Sequence, residues 1–458
     1  MKKIAKKIVF ICMLLALSVS AGAQYSSVMA EDAGLTDGGK AIVRNMSPTE
    51  VVTYVWTGTK QWFTYENSTT LNYKVMDINN IPAFEKIIIN DFRIIGGIVY
   101  YCGLDNNSGK GVIGTFKTTD FFGSYGNIDY IDISGTTELN RMEVYHDPGT
   151  GNPRVAAVGY DRNGGCSILA QGVWVDCEGY VPGGTPTSVS VFEAHCTAPN
   201  DVEQWHDVVS TNDWVVLVGY GNMGGQEGIA LRRFHKGNPT DPEIDNIYIF
   251  NESEKVAWSE TRAEFIDRND MAVVYRGERI RNVTDFDKFR IFDIDNMANI
   301  NSQEYEVPYK SYLWEMAYMP NAKRVVVLSD FPTPAFLSNF AYLDPYQTTT
   351  YTSVFVNDDG WSFQSLTNLN GTFFVGAGGF HFLLRDAAAS YPANNIYVLP
   401  TAPTLCPADH AIKVAIIGNI RPNTYFVTLT GGPIALPPLN SDPTVIAPGT
   451  LTLRCLSN

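Results

Sequence analysis

One short unit recurs along the chain and restricts its folding more than any other feature. An acidic residue opens an apolar strand, a turn follows, a second apolar strand often ends in Gly, and a third strand comes after it. The clearest copies read NDFRIIGGIVYYCG from Asn90, HDVVSTNDWVVLVG from His206 and AEFIDRNDMAVVY from Ala263. A unit of this kind cannot bury both of its flat faces alone. Neighbouring copies must cover them, which is the arrangement of a β-propeller or a β-solenoid.

Setting the second strand of each copy in register gives Val99, Ala156, Val215, Ala272, Val325 and Phe373, at intervals of 48 to 59 residues. Familiar blades take roughly 40 to 50, and long loops account for the excess. Third strands are expected at GVIGTF from Gly111, CSILAQ from Cys166, GIALRRF from Gly228, KFRIFDI from Lys288, FLSNFAYL from Phe336 and FHFLLRD from Phe380. A more variable fourth strand belongs at the outer edge, as VWVDC from Val173 does. Helical periodicity is nearly absent, and only RDAAAS at 385–390 suggests a turn or two of helix. An all-β fold follows.

Six units are thus counted. VVTYVW, WFTYE and LNYKVMDI over 51–78 add strands at one end, and HAIKVAIIG, TYFVTLTGG and TLTLRC add three at the other. Pairing strands from both termini in one sheet removes exposed edges that would template aggregation. A seven-bladed propeller with a shared last blade is therefore preferred, and six blades plus a C-terminal β appendage is the alternative. The expected organisation is a signal peptide at 1–23, a flexible leader at 24–48, a propeller at 49–391, and a Pro-containing boundary with C-terminal strands at 392–458.

The signal peptide is expected because Lys2, Lys3, Lys6 and Lys7 precede an apolar run from Ile8 to Leu17 and small residues ending Ala21, Gly22 and Ala23. Cleavage is expected after Ala23, and Phe10 and Ile11 before Cys12 do not suit a lipid attachment site. The run is too short to span a bilayer. A secreted or periplasmic protein without membrane insertion is implied. The formal charge is −15, and −19 once those four lysines leave. Such a surface repels nucleic acid phosphates, so the expected partners are proteins or glycans. Six cysteines remain: Cys102, Cys166, Cys177, Cys196, Cys406 and Cys455. An even number in an exported chain favours disulfides. Cys166 with Cys177, taken as two strands around a turn at Gln171 and Gly172, and Cys406 with Cys455 are the candidate pairs. No cysteine pair has the close spacing of a zinc site, and no cofactor is indicated.

The repeated acid is the most suggestive constellation. Asp91, Asp207 and Glu264 stand eight residues before their second-strand positions, Glu143 and Glu315 stand 13 and 10 before theirs, and Ser365 holds the equivalent place in the last unit. If the first strand of each blade lines the central channel, five carboxylates ring one end of it, where they can bind a ligand. Alternatively, each accepts backbone N–H groups from the next blade, or pairs with arginines such as Arg93, Arg232, Arg233 and Arg290. Recurrence favours the second reading, because architectural residues repeat in every blade whereas catalytic ones occur once. Tyr160 and Trp361, beside Asp or Gly in expected loops, are candidate stacking platforms for a sugar face. The six histidines show no metal-ligand spacing, there is no G-x-S-x-G elbow, and GYGNMGGQEG from Gly219 reads as a hairpin loop.

VNDDGWSF from Val356 to Phe363 resembles the aspartate box of sialidase-type propellers, with Asp358, Gly360, Ser362 and Phe363 matching and Val356 departing. That resemblance implies a turn between outer strands of a blade, remote from any active site. The AGAQ cleavage site and VYYCGLDNNSGKGVIGTF from Val99 resemble secreted propeller-like proteins of the Bacteroidetes, over 90–386. That likeness implies an exported protein of glycan-rich habitats. The expected function is a non-enzymatic propeller that binds a protein or glycan through one face. A glycoside hydrolase or lyase using carboxylates at the channel mouth is the alternative.

Overall fold

Seven consecutive antiparallel sheets make up the body of the computed structural model, each starting at the channel and running outward in chain order. They occupy 40–77, 87–133, 138–193, 202–251, 262–307, 312–357 and 363–400, and are called blades 1 to 7. The structure describes the strands of these blades and the strands nearer each terminus. It also describes the connecting residues within 84–123, 128–162, 171–193, 202–223 and 226–239, and residues 78, 81, 261, 266, 294 and 295. The innermost strands are Lys40–Ser47, Ile87–Ile95, Glu138–His146, Val202–Ser210, Arg262–Phe265, Tyr312–Met319 and Phe363–Leu369. Each packs against the innermost strand of the next blade, and the seventh packs against the first. The ring is closed, and the fold is a seven-bladed β-propeller.

Continuous apolar second strands are what this packing needs, because each blade is covered on both faces. In blade 2, Val99 and Tyr101 turn toward Tyr54 and Phe63 of blade 1, which form an aromatic cluster with Phe84 of the connection and Phe92 and Phe116 of blade 2. Their neighbours Tyr100 and Cys102 turn the other way and pack with Met142, Val155, Val175 and Cys177 of blade 3. Blade 3 alternates in the same manner: Val155 and Ala157 face blade 2, while Ala156, Val158 and Trp174 face Val215, Leu217 and Phe234 of blade 4. The Trp174 indole lies between the rings of Phe192 and Phe234, with centroids 4.1 and 4.7 Å away. Blade 4 then turns Trp214, Val216 and Val218 toward Met271 and Phe292 of blade 5. The inner hairpin of blade 2 closes through Gly96 and Gly97, both at positive φ, the requirement of a tight two-residue turn between twisted strands.

Several expectations are corrected here. Lys40–Ser47 falls within the stretch read as a flexible leader, yet it is the inner strand of blade 1, with Ile42 and Val43 buried. Its polar look comes from facing the channel. Strand Tyr25–Asp32 also falls in that stretch. It pairs with Phe380–Asp386 of blade 7 on one side and Ala411–Ile417 on the other, and Thr450–Arg454 extends the same sheet. Strands from both ends of the chain thus meet at the outer edge of blade 7. In blade 3 the third strand is Gln171–Glu178, paired with Pro153–Asp161, and the fourth is Ser188–Glu193. VWVDC is therefore in the third strand, and of CSILAQ only Gln171, the first residue of that strand, is among the described residues. Cys177 is a buried free thiol, so the Cys166–Cys177 bridge is not formed, and Cys102 is buried as well. Burial, with Asp176 alongside, pushes the Cys177 thiol up to about 12. Cys166, Cys196, Cys406 and Cys455 lie outside the described residues. The residues of the sialidase-like box connect Tyr351–Asn357 of blade 6 to Phe363–Leu369 of blade 7, and so join two blades instead of two strands of one. At 385–390, Arg385 and Asp386 end a strand, and the rest lies outside the described residues.

Candidate functional site

The inner strands carry one backbone device that decides what reaches the channel. In blades 2, 3, 4, 6 and 7 the ladder slips by one residue between Ile89 and Asp91, Leu139 and Arg141, Trp205 and Asp207, Leu313 and Glu315, and Phe363 and Ser365. A β-bulge of this kind re-aims the residue that follows it. Asp91, Arg141, Asp207, Glu315 and Ser365 thus hold one equivalent position. Blade 5 joins the series through its contacts: Ala263 N–H donates to Asp207 Oδ2 at 3.1 Å, as Met142 N–H donates to Asp91 Oδ2 at 3.2 Å, which places Arg262 level with Arg141. Arg44 of blade 1 sits at the same level, its Nη2 2.6 Å from Asp91 Oδ1 and 3.3 Å from Glu315 Oε2. Around the ring the residues read Arg44, Asp91, Arg141, Asp207, Arg262, Glu315 and Ser365. Charges alternate in sign. An odd number of blades cannot alternate throughout, and the uncharged Ser365 stands at the break, between Glu315 and Arg44.

The ring is crossed as well as encircled. Arg141 Nη1 of blade 3 lies 2.9 Å from Glu315 Oε2 of blade 6, and these blades are as far apart as a seven-membered ring allows. Side chains therefore bridge the axis at this level. Two residues further along each strand the pattern continues on the same face, with Arg93 after Asp91, Glu143 after Arg141 and Glu264 after Arg262. Arg93 binds Asp91 at 2.8 Å and Glu143 at 3.3 Å, and Ser210 donates to Glu143 at 3.2 Å. The Asp91 side chain is wholly buried, whereas those of Arg93 and Glu143 are 24% and 22% exposed. The channel is thus shut at the first level and opens toward the second, on the face where the inner strands end.

Electrostatics follow the pairing. Burial alone would raise the Asp91 carboxyl, but Arg44, Arg93 and Arg141 more than offset it and hold the group well below the usual carboxylate range. Glu315 is likewise lowered, with Arg141 and Arg44 outweighing burial. Burial raises Glu143 against the pull of Arg93, and raises Asp207 against Arg141 and Arg262. Glu264 is pushed up to about 8 by burial and by Glu315, despite a hydrogen bond from the Tyr318 backbone.

All five expected carboxylates line the channel, in two levels instead of one: Asp91, Asp207 and Glu315 in the first, Glu143 and Glu264 in the second. Asp91, Asp207 and Glu264 receive a backbone N–H from the next blade, while Asp91, Glu143 and Glu315 pair with arginines. Arg93 plays the expected part, and Arg232 instead clamps Glu203 within blade 4 at 2.9 Å. Arg233 stacks over the Trp214 ring at 4.1 Å and donates to the Ile294 carbonyl. The Arg290 side chain is not among the described ones. Arg44, Arg141 and Arg262 were missed by a search for acids alone. A search for a charge of either sign at a fixed register would have found them, and the unequal offset of Glu143 from its second strand was the clue. Tyr160 is not a loop platform: it is half-buried in strand Pro153–Asp161 with its ring edge-on to His206. Trp361 lies outside the described residues.

No family model and no curated protein matches the chain. Among solved structures, it is similar to a prolyl endopeptidase described in a study of inter-domain dynamics, with 11% identity and a TM-score of 0.45, covering 90% of this chain and 57% of that one. The chain thus spans under two thirds of that enzyme's length. The β-propeller domain of the Trilobed protease from Pyrococcus furiosus is similar with 8% identity and a TM-score of 0.42, over 77% of this chain and 99% of the other. An uncharacterized protein from Listeria monocytogenes gives 12% identity and 0.43, over 82% and 99%.

Proposed function

We propose that this chain is an exported, non-enzymatic β-propeller that binds a protein or glycan through the face where its inner strands end. Export rests on the lysine-flanked apolar segment and the small residues before Gln24. The observation that carries the binding role is the state of the channel carboxylates. Asp91 and Glu315 are neutralised by arginines and Asp207 takes two backbone N–H donors, so the acids nearest the axis are committed to holding blades together. Recognition then falls to the partly exposed second level and the surrounding loops. A strongly acidic surface directs the choice of partner toward proteins and neutral glycans.

One observation favours the carbohydrate-active alternative: Glu264 is raised beside a lowered Glu315, and a protonated and an ionised carboxyl together are what glycoside cleavage requires. A glycan array, a pull-down and a turnover panel on the chain from Gln24 onward separate the two readings. The expected result is capture of a ligand with no turnover. Turnover that falls by about 100-fold or more in a folded Glu264→Gln variant would establish the enzyme instead.

A further inference from the structure

Among the described residues, the channel holds an unequal set of charges: Arg44, Arg93, Arg141 and Arg262 against Asp91, Glu143, Asp207, Glu264 and Glu315. Among the described residues, Arg44, Arg93 and Arg141 are each ion-paired to Asp91, Glu143 or Glu315, and no Arg or Lys is ion-paired to Glu264. Glu264 accepts from the Tyr318 backbone and stands at the more open level. We propose that a proton on Glu264 completes the charge balance among the described residues of the central channel, and that its release weakens the seam between blades 5 and 6. The seam is sensitive because the inner strand of blade 5 is short, four residues, and packs between its neighbours in blades 4 and 6.

The surroundings decide the sign. Blade 6 presents Glu315 and Tyr318. Arg93 and Glu143 act on Glu264 from blades 2 and 3, the former stabilising its charge and the latter opposing it. Asp207 and His206 lie on the adjoining strand of blade 4, with Tyr220 behind them, and His206 Nδ1 accepts from Thr261 N–H at 3.1 Å. Arg262 precedes Glu264 by two positions, and the second strand of blade 5 carries Asp270 and Tyr275. Arg44, Arg93 and Arg141 are already engaged with other carboxylates and Arg262 donates to the His206 and Thr261 carbonyls, so a charge on Glu264 meets Glu315 and Glu143. Its folded-state value lies above its ordinary value of 4.5. The native state therefore holds a proton that the unfolded chain gives up between those two values. The corresponding stability is full at acid pH and is lost as pH rises toward about 8.

The test is a carbon-13 titration of the glutamate-labelled full chain from pH 4 to 9, with stability followed over the same range. One glutamate carboxyl is expected to titrate with its midpoint near 8 and to be missing from Glu264→Gln. The wild-type folding constant should fall by up to about tenfold per pH unit more steeply than the variant's across that window. If every glutamate carboxyl titrates below pH 6, or the two proteins share one slope, the proposal is wrong. Should Glu264→Gln fail to fold, the wild-type titration alone decides.

Discussion

Asp91→Ala is expected to lower the stability of the folded chain by about 3–5 kcal/mol, the cost of leaving a buried charge without its partner. Asp91 is fully buried and accepts from Arg44, from Arg93 and from the backbone N–H groups of Phe92 and Met142. Its loss takes the shorter of two ion pairs from the buried Arg44, which keeps Glu315 at 3.3 Å, and opens the join between blades 2 and 3. Chemical denaturation or a thermal midpoint measures the effect, and a change below about 1 kcal/mol would show that the remaining pairs to Glu315 and Glu143 suffice for Arg44 and Arg93. The same carboxyl fixes an acid limit. Because its folded value is depressed, the stability it contributes is present above the unfolded value of about 3.9 and is lost as pH falls below it.

Gly219→Ala is expected to be comparably damaging, at or above the ~3 kcal/mol that marks the upper end of ordinary overpacking. A Cβ at Gly219 would overlap the carbonyl oxygen of Gln204, and Gly103 and Gly159 meet the carbonyls of Ile88 and Glu138 in the same way. These are backbone atoms, so no side chain can rotate aside. All three glycines pair with the residue just before the bulge, Trp205, Ile89 and Leu139, where the slipped inner strand pushes its carbonyl against the second strand. Ser329 and Ala377 hold that register in blades 6 and 7, so small residues recur there. Gly96→Ala is the contrast: its Cβ would meet nothing within 4 Å, and only its φ of 58° is unfavourable. It should cost about 1–2 kcal/mol. Equal losses at Gly96 and Gly219 would contradict the close-approach account.

The glycine inside the second strand was thus the most legible single residue of blades 2 to 4, because it reports a close approach in which a Cβ would meet a carbonyl of the inner strand. The second-strand positions from Val99 to Phe373 were legible for a similar reason: strands covered on both faces must be apolar throughout, and all six fall in second strands of blades 2 to 7. Blade 1 was harder to read. Its inner strand, KAIVRNMS, has few apolar residues because one side faces a channel of charges, and composition alone cannot separate that from a leader. Gln171–Glu178 was misplaced by one strand because CSILAQ, just before it, has the same apolar texture in sequence. The acids were visible one at a time, but their partners were not. Arg44, Arg141 and Glu315 are far apart in sequence and meet only because seven blades close, so their pairing is a property of the ring and not of any local pattern.

The closure of that ring is tested most directly by a double-mutant cycle on Arg141 and Glu315, which are separated by 174 positions in the chain and joined across the axis at 2.9 Å. Stabilities are measured for Arg141→Met, Glu315→Gln, the double variant and the wild type. Contact across the channel predicts a coupling of about 1–3 kcal/mol. Additivity within about 0.5 kcal/mol would mean that the two side chains do not meet, and that the charges of the inner strands do not close the channel.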